Sequence, residues 1–484
     1  MSFRSIVVLL LVELSSGFAQ PSGTFTATGS MITPRWGHTA TLLNNGKVLI
    51  AGGQATDIPS STPPLATAEL YDPATGTFAD AGKMTEPRVG HTAALLPDGR
   101  VLIAGGWNGL FFSPAEGSPE IYDPYTNRFT STGSKFADPA VRAATLLNSG
   151  KVLMTGPLAG SLCGSTVTEP SSELYDPAMG TFSPTGGAPA ISYCDPIPAL
   201  LPNGQVLIVP GNGDSLAEIY DRATGFFNVT GWVNSFSIGG TATLLTTGRV
   251  LVTLTAPDCD GTLDHTALYD PATGQFTAAA TMAYGACRPK GVTLSDGKVL
   301  IAGGSFAGPH SQVYDFASGT FRATGDMASG HTGHTATLLN DGTVLIAGGL
   351  QNIQDHVAVT VAEVYHPAVA LPAPALLSLS GNGQGPGAIL HANSHQIVSA
   401  DNPADSGEAL EIYLTGLLDG SVIPPRVAIG GRLAEVLFFG NAPGYTGLNQ
   451  VNIQIPDGLA PGPAVPVRLN YMGRPSNEVT LAVR

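Results

Sequence analysis

"GHTATLLNNGKVLIAGG" occupies Gly37–Gly53, and its wording returns as "GHTAALLPDGRVLIAGG" at Gly90–Gly106 and as "GHTATLLNDGTVLIAGG" at Gly333–Gly349. A stretch written three times in one chain signals one structural unit repeated, so the copies must be counted first. Each copy has a turn ending in glycine, then a short apolar run, then a tyrosine that usually opens Tyr-Asp-Pro. The turn glycine recurs at Gly46, Gly99, Gly150, Gly204, Gly248, Gly297 and Gly342, and the tyrosine at Tyr71, Tyr122, Tyr175, Tyr220, Tyr269, Tyr314 and Tyr365. Seven units result, spaced by about 49 residues. Each reads as four short strands, in the first unit HTATLL, KVLIAGG, AELYDP and GTFADAG. Asn-Gly or Asp-Gly between two apolar runs marks a hairpin.

Over roughly residues 22–367 this pattern resembles the kelch repeat, whose units are four-stranded propeller blades. The resemblance rests on the double glycine closing the second strand (Gly52-Gly53, Gly105-Gly106, Gly303-Gly304, Gly348-Gly349) and on the Glu-x-Tyr-Asp-Pro that follows. Where kelch blades usually carry tryptophan in the fourth strand, this chain has Phe78, Phe129, Phe182, Phe227, Phe276 and Phe321, as in bacterial secreted relatives. Units three to five depart most: Gly156-Pro157, Pro210-Gly211 and Leu254-Thr255 replace the double glycine. The seventh unit lacks a fourth strand after Tyr365, yet "SGTFTATGSM" at Ser22–Met31 closely matches "SGTFRATGDM" at Ser318–Met327. The expectation is a seven-bladed propeller over 20–369 whose last blade is completed by the N-terminal strand, which removes an exposed sheet edge.

Met1–Ala19 has one basic residue, an apolar run from Ile6 to Val12 and small residues before Gln20, the pattern of a secretory leader. No other stretch is long and apolar enough for a bilayer span. With a formal net charge of −15, 12% charged residues and no basic run, nucleic acid and anionic membrane surfaces are excluded as partners. An exported, monomeric protein of the periplasm or exterior is expected. After a stiff linker, 370–375, strand-like runs such as EALEIYLTG, NQVNIQIP and VPVRLNY fill 376–484. They suit an immunoglobulin-like sandwich. Their wording is similar to an uncharacterised C-terminal module appended to many secreted bacterial proteins.

Cys163 and Cys259 fall in loops between second and third strands, and Cys194 and Cys287 stand where the next blade's first strand begins. Those points share one end of a blade, so Cys163–Cys194 and Cys259–Cys287 are the expected disulfides, each worth ~3–4 kcal/mol in the chain-entropy model. Four free thiols, or metal ligands, are the alternative.

Residues present in most blades serve the blade. Asp72, Asp123, Asp176, Asp221, Asp270 and Asp315, and Glu69, Glu120, Glu173, Glu218 and Glu363, are read that way. The variable loops between second and third strands pick one face for binding. On it, His38, His91 and His334 each stand 8 residues before the turn glycine in blades that neighbour one another around the ring, with Arg35, Arg88 and His331 three residues earlier. Two readings stand: ordinary kelch framework, or a cluster for a metal or an anionic ligand. Trp107, Phe111 and Phe112 belong to no other blade, and either stack on a sugar or partner or pack against a neighbouring loop. Asp258–Asp264 lacks the third ligand and terminal Glu of a calcium loop. His391 and His395 are four apart in strand-like sequence, where that spacing does not converge.

A propeller followed by an immunoglobulin-like domain also resembles galactose oxidase, a secreted copper radical enzyme whose copper is held by two Tyr and two His, one Tyr cross-linked to Cys. Tyr193 and Tyr284 lie on the favoured face, but each adjoins or nears a cysteine assigned to a disulfide. The expectation is therefore a non-enzymatic propeller, without cofactor, that binds an extracellular glycan or protein through its long-loop face. A copper oxidase or another carbohydrate-active enzyme is the alternative.

Overall fold

Each turn glycine of the repeat lies in the left-handed backbone region, from Gly46 at φ 81° to Gly342 at φ 89°, where a side chain would be strained. The hairpins therefore close where the glycines fall, and Thr39–Leu42 pairs antiparallel with Val48–Ala51 in blade one. The computed structural model describes residues 23–484 apart from 57–61, 109–117, 133–142, 157–171, 188, 190–195, 211–215, 234–239, 256–264, 287, 305–307 and 352–355. The leader-like segment, all four cysteines, Tyr193, Asp258–Asp264, Phe111 and Phe112 lie outside the described residues.

Seven four-stranded antiparallel sheets form, and their first strands neighbour one another in a ring around a central channel. Second strands are buried on both faces because each sheet packs between two others; Val48, Leu49, Ile50 and Ala51 are all enclosed. Each repeat tyrosine lies against the fourth-strand phenylalanine, as Tyr71 does on Phe78 with ring centroids 4.9 Å apart. The recurring aspartates cap turns: Asp72 Oδ1 accepts the Ala74 N–H at 3.0 Å and Asp315 Oδ1 the Ala317 N–H at 2.9 Å.

The seventh blade is closed by the N-terminus. Thr24–Ala27 pairs antiparallel with Ala362–His366, which is itself paired to Val344–Ala347. Phe25 falls opposite Tyr365, with ring centroids 4.9 Å apart, and so makes the contact that a fourth-strand phenylalanine makes elsewhere. Strands at opposite ends of the propeller sequence thus share one sheet.

The C-terminal region, from Ala375–Leu376 to Val479–Val483, forms a nine-stranded sheet around its own apolar core, which includes Leu410, Ile412, Val427, Val451, Val467 and Leu469. An immunoglobulin-like sandwich was expected here; the region is all-β, and one hydrogen-bonded path runs through its strands. Arg432–Asn441 carries it across, pairing first with Arg426–Ile429 and then, from Glu435 on, with Asn449–Gln454, a ladder interrupted by a bulge at Val436/Phe438. This domain docks on the propeller end that carries the first-to-second-strand turns. Val422 donates to the Thr246 carbonyl at 3.0 Å, Leu371 to Ser295 Oγ at 2.8 Å, and Ala373 to the Asn340 carbonyl at 2.6 Å. No helix of the described residues is long and apolar enough to cross a membrane.

Candidate functional site

The opposite end of the channel carries the histidines. In blade one Arg35 is fully enclosed: Nη1 donates to the Gly52 and Thr67 carbonyls at 2.7 and 2.8 Å, and Nη2 to Glu69 at 2.6 Å. Glu69 also accepts the backbone N–H groups of Ile32 and Thr33. Blade two repeats the arrangement, with Arg88 donating to the Gly105 carbonyl at 3.0 Å and Glu120 3.6 Å away. In blade seven His331 takes the arginine's place, donating through Nδ1 to the Gly348 carbonyl at 2.7 Å, with Nε2 3.4 Å from Glu363. These basic groups are held inside the blade and face its own carbonyls and carboxylate.

The double glycines are explained by the histidines. A β-carbon on Gly52 would sit 2.7 Å from the His91 ring, one on Gly348 2.8 Å from the His38 ring and one on Gly303 2.5 Å from the His334 ring. Each imidazole therefore lies in a notch that the preceding blade opens with its first glycine. Burial, then the nearby Arg35 and Arg88 respectively, push His38 and His91 down to about 3. His334 is driven well below its ordinary value by burial, then by His331, Lys290 and His38. All three rings are neutral at pH 7.

The three are not equivalent. His38 Nε2 shares a hydrogen bond of 3.1 Å with Thr335 Oγ1, and His91 Nε2 one of 3.0 Å with Thr39 Oγ1. In both, the partner is the threonine that opens the preceding blade's first strand. At that position in blade six stands Lys290, so His334 has no hydroxyl to meet: its Nε2 has no hydrogen-bond partner, whereas Nδ1 in all three rings faces the backbone of the residue three before it. Lys290 is exposed at the channel mouth. The sequence held this signal: aligned seven residues before their turn glycines, Thr39, Thr92 and Thr335 match while Lys290 does not.

Nearby on the same face, Tyr284 stacks on His310 with centroids 4.2 Å apart, and His310 Nδ1 lies 3.0 Å from Asp326. Trp107 is half-buried, and its backbone pairs with Val89 in a bridge that Trp36–Gln54 and Thr332–Leu350 repeat. Its backbone position thus belongs to the repeat, and only its indole is peculiar to blade two. His391 and His395 bond separate carboxylates, Glu408 and Glu411, in the C-terminal domain. Among the described residues no three His, Cys, Asp or Glu side chains group as a metal site.

No family model matches the chain. A stretch of 98 residues, 20% of the chain, is 35% identical to galactose oxidase from Gibberella zeae, and the match covers only 14% of that protein's length. Among solved structures, a fungal alcohol oxidase of the AA5 family, determined in complex with copper, aligns over 96% of this chain and 99% of its own. Its TM-score is 0.57 at 16% identity, a likeness of fold. The expectation of a non-enzymatic binding propeller without cofactor is corrected by these matches, since both relatives are oxidases and one holds copper. The repeat count had placed the chain in the right architecture. The oxidase was disfavoured because the cysteines beside Tyr193 and Tyr284 were assigned to disulfides and no motif fixes two Tyr and two His together, grounds that say nothing about ligands drawn from elsewhere in the ring.

Proposed function

We propose that this protein is an oxidase of the galactose-oxidase type, exported from the cell, that acts on alcohol groups at the histidine-bearing mouth of its propeller. The reaction class takes two electrons and two protons from an alcohol, giving an aldehyde, and passes them to dioxygen as hydrogen peroxide. The observation that carries the reading is His334: a buried, neutral imidazole whose Nε2 is unpartnered, where that of His38 and of His91 meets a threonine, beside the mouth-exposed Lys290. A buried polar group without a partner is costly, so it marks a position kept for something else.

Copper fits this site only in part. Neutral imidazole suits the ion, and His334 offers it. The described tyrosines of the repeat are buried inside their blades, which leaves Tyr284, already stacked on His310, as the phenol on this face. The described residues therefore do not complete a set of two tyrosines and two histidines, and no catalytic step is routed through the metal. The chain's own contribution is a dry, neutral imidazole beside a cation, at a mouth framed by rigid first strands. The test is peroxide release from copper-treated protein with galactose and simple primary alcohols. Peroxide that His334→Gln abolishes supports the reading, and absence of peroxide across that panel refutes it.

A further inference from the structure

The other end of the channel holds a chamber of about 600 Å³ between the propeller's first strands and the C-terminal sheet. Thr41, Thr243, Thr293 and Thr337 line it from the propeller, and Arg426 and Arg468 from below. First strands are blade edges, so they also present unpaired backbone groups to this space. Arg468 is matched by Glu478 at 2.8 Å. Arg426 has no carboxylate: among the described residues its hydrogen bond is to the Leu146 carbonyl, 2.8 Å from Nη2. A guanidinium carries five N–H donors, so most of the fork is left for the chamber.

We propose that this chamber binds a small oxyanion, with the Arg426 guanidinium as its anchor and the hydroxyls of Thr41, Thr243 and Thr337 completing the cradle, that of Thr293 being spent on the Leu244 carbonyl at 3.1 Å. Two independent features support this. Arg426 is half-buried, with no carboxylate beside it among the described residues; a partly desolvated cation without a counter-charge is unfavourable, and it stays charged at neutral pH even though burial lowers it to about 10. The chamber lining also contains two arginines and not one Asp or Glu, in a chain whose net charge is −15. A planar fork of donors suits carboxylate, phosphate and sulfate alike. The site lies at the opposite end of the channel from His334 and stands or falls separately from the oxidase reading.

The test is calorimetric titration of the full mature chain in low-salt buffer with inorganic phosphate, sulfate and acetate, alongside thermal melts. Wild type should bind one anion per chain, with a rise of roughly 3 °C at a hundredfold excess over Kd. Tetrahedral and planar probes then separate phosphate-like from carboxylate ligands. Arg426→Gln should abolish binding without changing copper uptake. Should Arg426→Gln fail to fold, Arg426→Lys keeps the charge but loses the fork, and its affinity should fall at least tenfold. No binding by wild type to any of the three anions overturns the proposal. So does binding that survives in Arg426→Gln, the mark of an adventitious ion only, or wild-type affinity in Arg426→Lys.

Discussion

Replacing Lys290 by threonine should stabilise the protein, an outcome rare for a change at one residue. The repeat supplies the design: Thr39 and Thr335 each hydrogen-bond the next blade's histidine, and Lys290 stands in the equivalent place before His334. The new bond is worth about 1 kcal/mol net, and meeting a buried unsatisfied nitrogen removes a further cost of ~1–3 kcal/mol. Losing an exposed lysine costs at most about 0.5 kcal/mol. The expected gain is roughly 1.5–3.5 kcal/mol, or about 1.5–3.5 °C in Tm for a chain of this size. Removing the adjacent cation should also raise the His334 pKa, read by NMR of the imidazole carbons, since Lys290 is among the groups lowering it. Peroxide release should fall, because the nitrogen kept free is now bonded. An unchanged or lower Tm, with His334 titrating as before, would refute the assignment of its unpartnered nitrogen to the Lys290 substitution.

Glu69→Gln should cost about 3–5 kcal/mol, because it leaves Arg35 buried without its counter-charge, and urea melts would read the loss; Glu69→Gln with Arg35→Met should recover part of it. Deleting residues 20–31 should lower Tm and produce soluble oligomers by light scattering, since the Ala362–His366 edge is uncovered; a monomer with wild-type Tm contradicts closure by the N-terminal strand. Acid should destabilise the fold steeply. His38, His91 and His334 are neutral when folded, with lowered pKa values, whereas in the unfolded chain they take up protons below about pH 6.5. Stability is therefore complete above that pH and is lost as pH falls, toward about pH 3 for His38 and His91, by about 1.4 kcal/mol per unit for each ring. The Tm-versus-pH slope should flatten in His91→Gln.

The sequence made the propeller legible because its signals are local and repeated. Asn-Gly turns, VLIA runs and Tyr-Asp-Pro each recur, and the match of Ser22–Met31 to Ser318–Met327 betrays a long-range pairing that no single hairpin reveals. The buried Arg35–Glu69 bond was half visible, as two columns of residues in register, but not that they meet. The docking of the C-terminal domain was invisible. Arg426 is one arginine in a strand-like run, and only the tertiary fold brings it from the C-terminal domain to the Leu146 carbonyl of the propeller. The His334 anomaly was written plainly, at Lys290, yet it acquires meaning only when threonine is seen to bond the neighbouring blade's imidazole.

The measurement that bears most directly on the oxidase reading is copper stoichiometry of the full-length protein after loading and exhaustive dialysis. Alongside it, the coordination of the bound ion would be read by electron paramagnetic resonance. One tightly held copper per chain is predicted, with nitrogen hyperfine from imidazole that His334→Gln removes while its circular dichroism stays native. Copper that dialyses away from the wild type, or that binds equally well to His334→Gln, would contradict it.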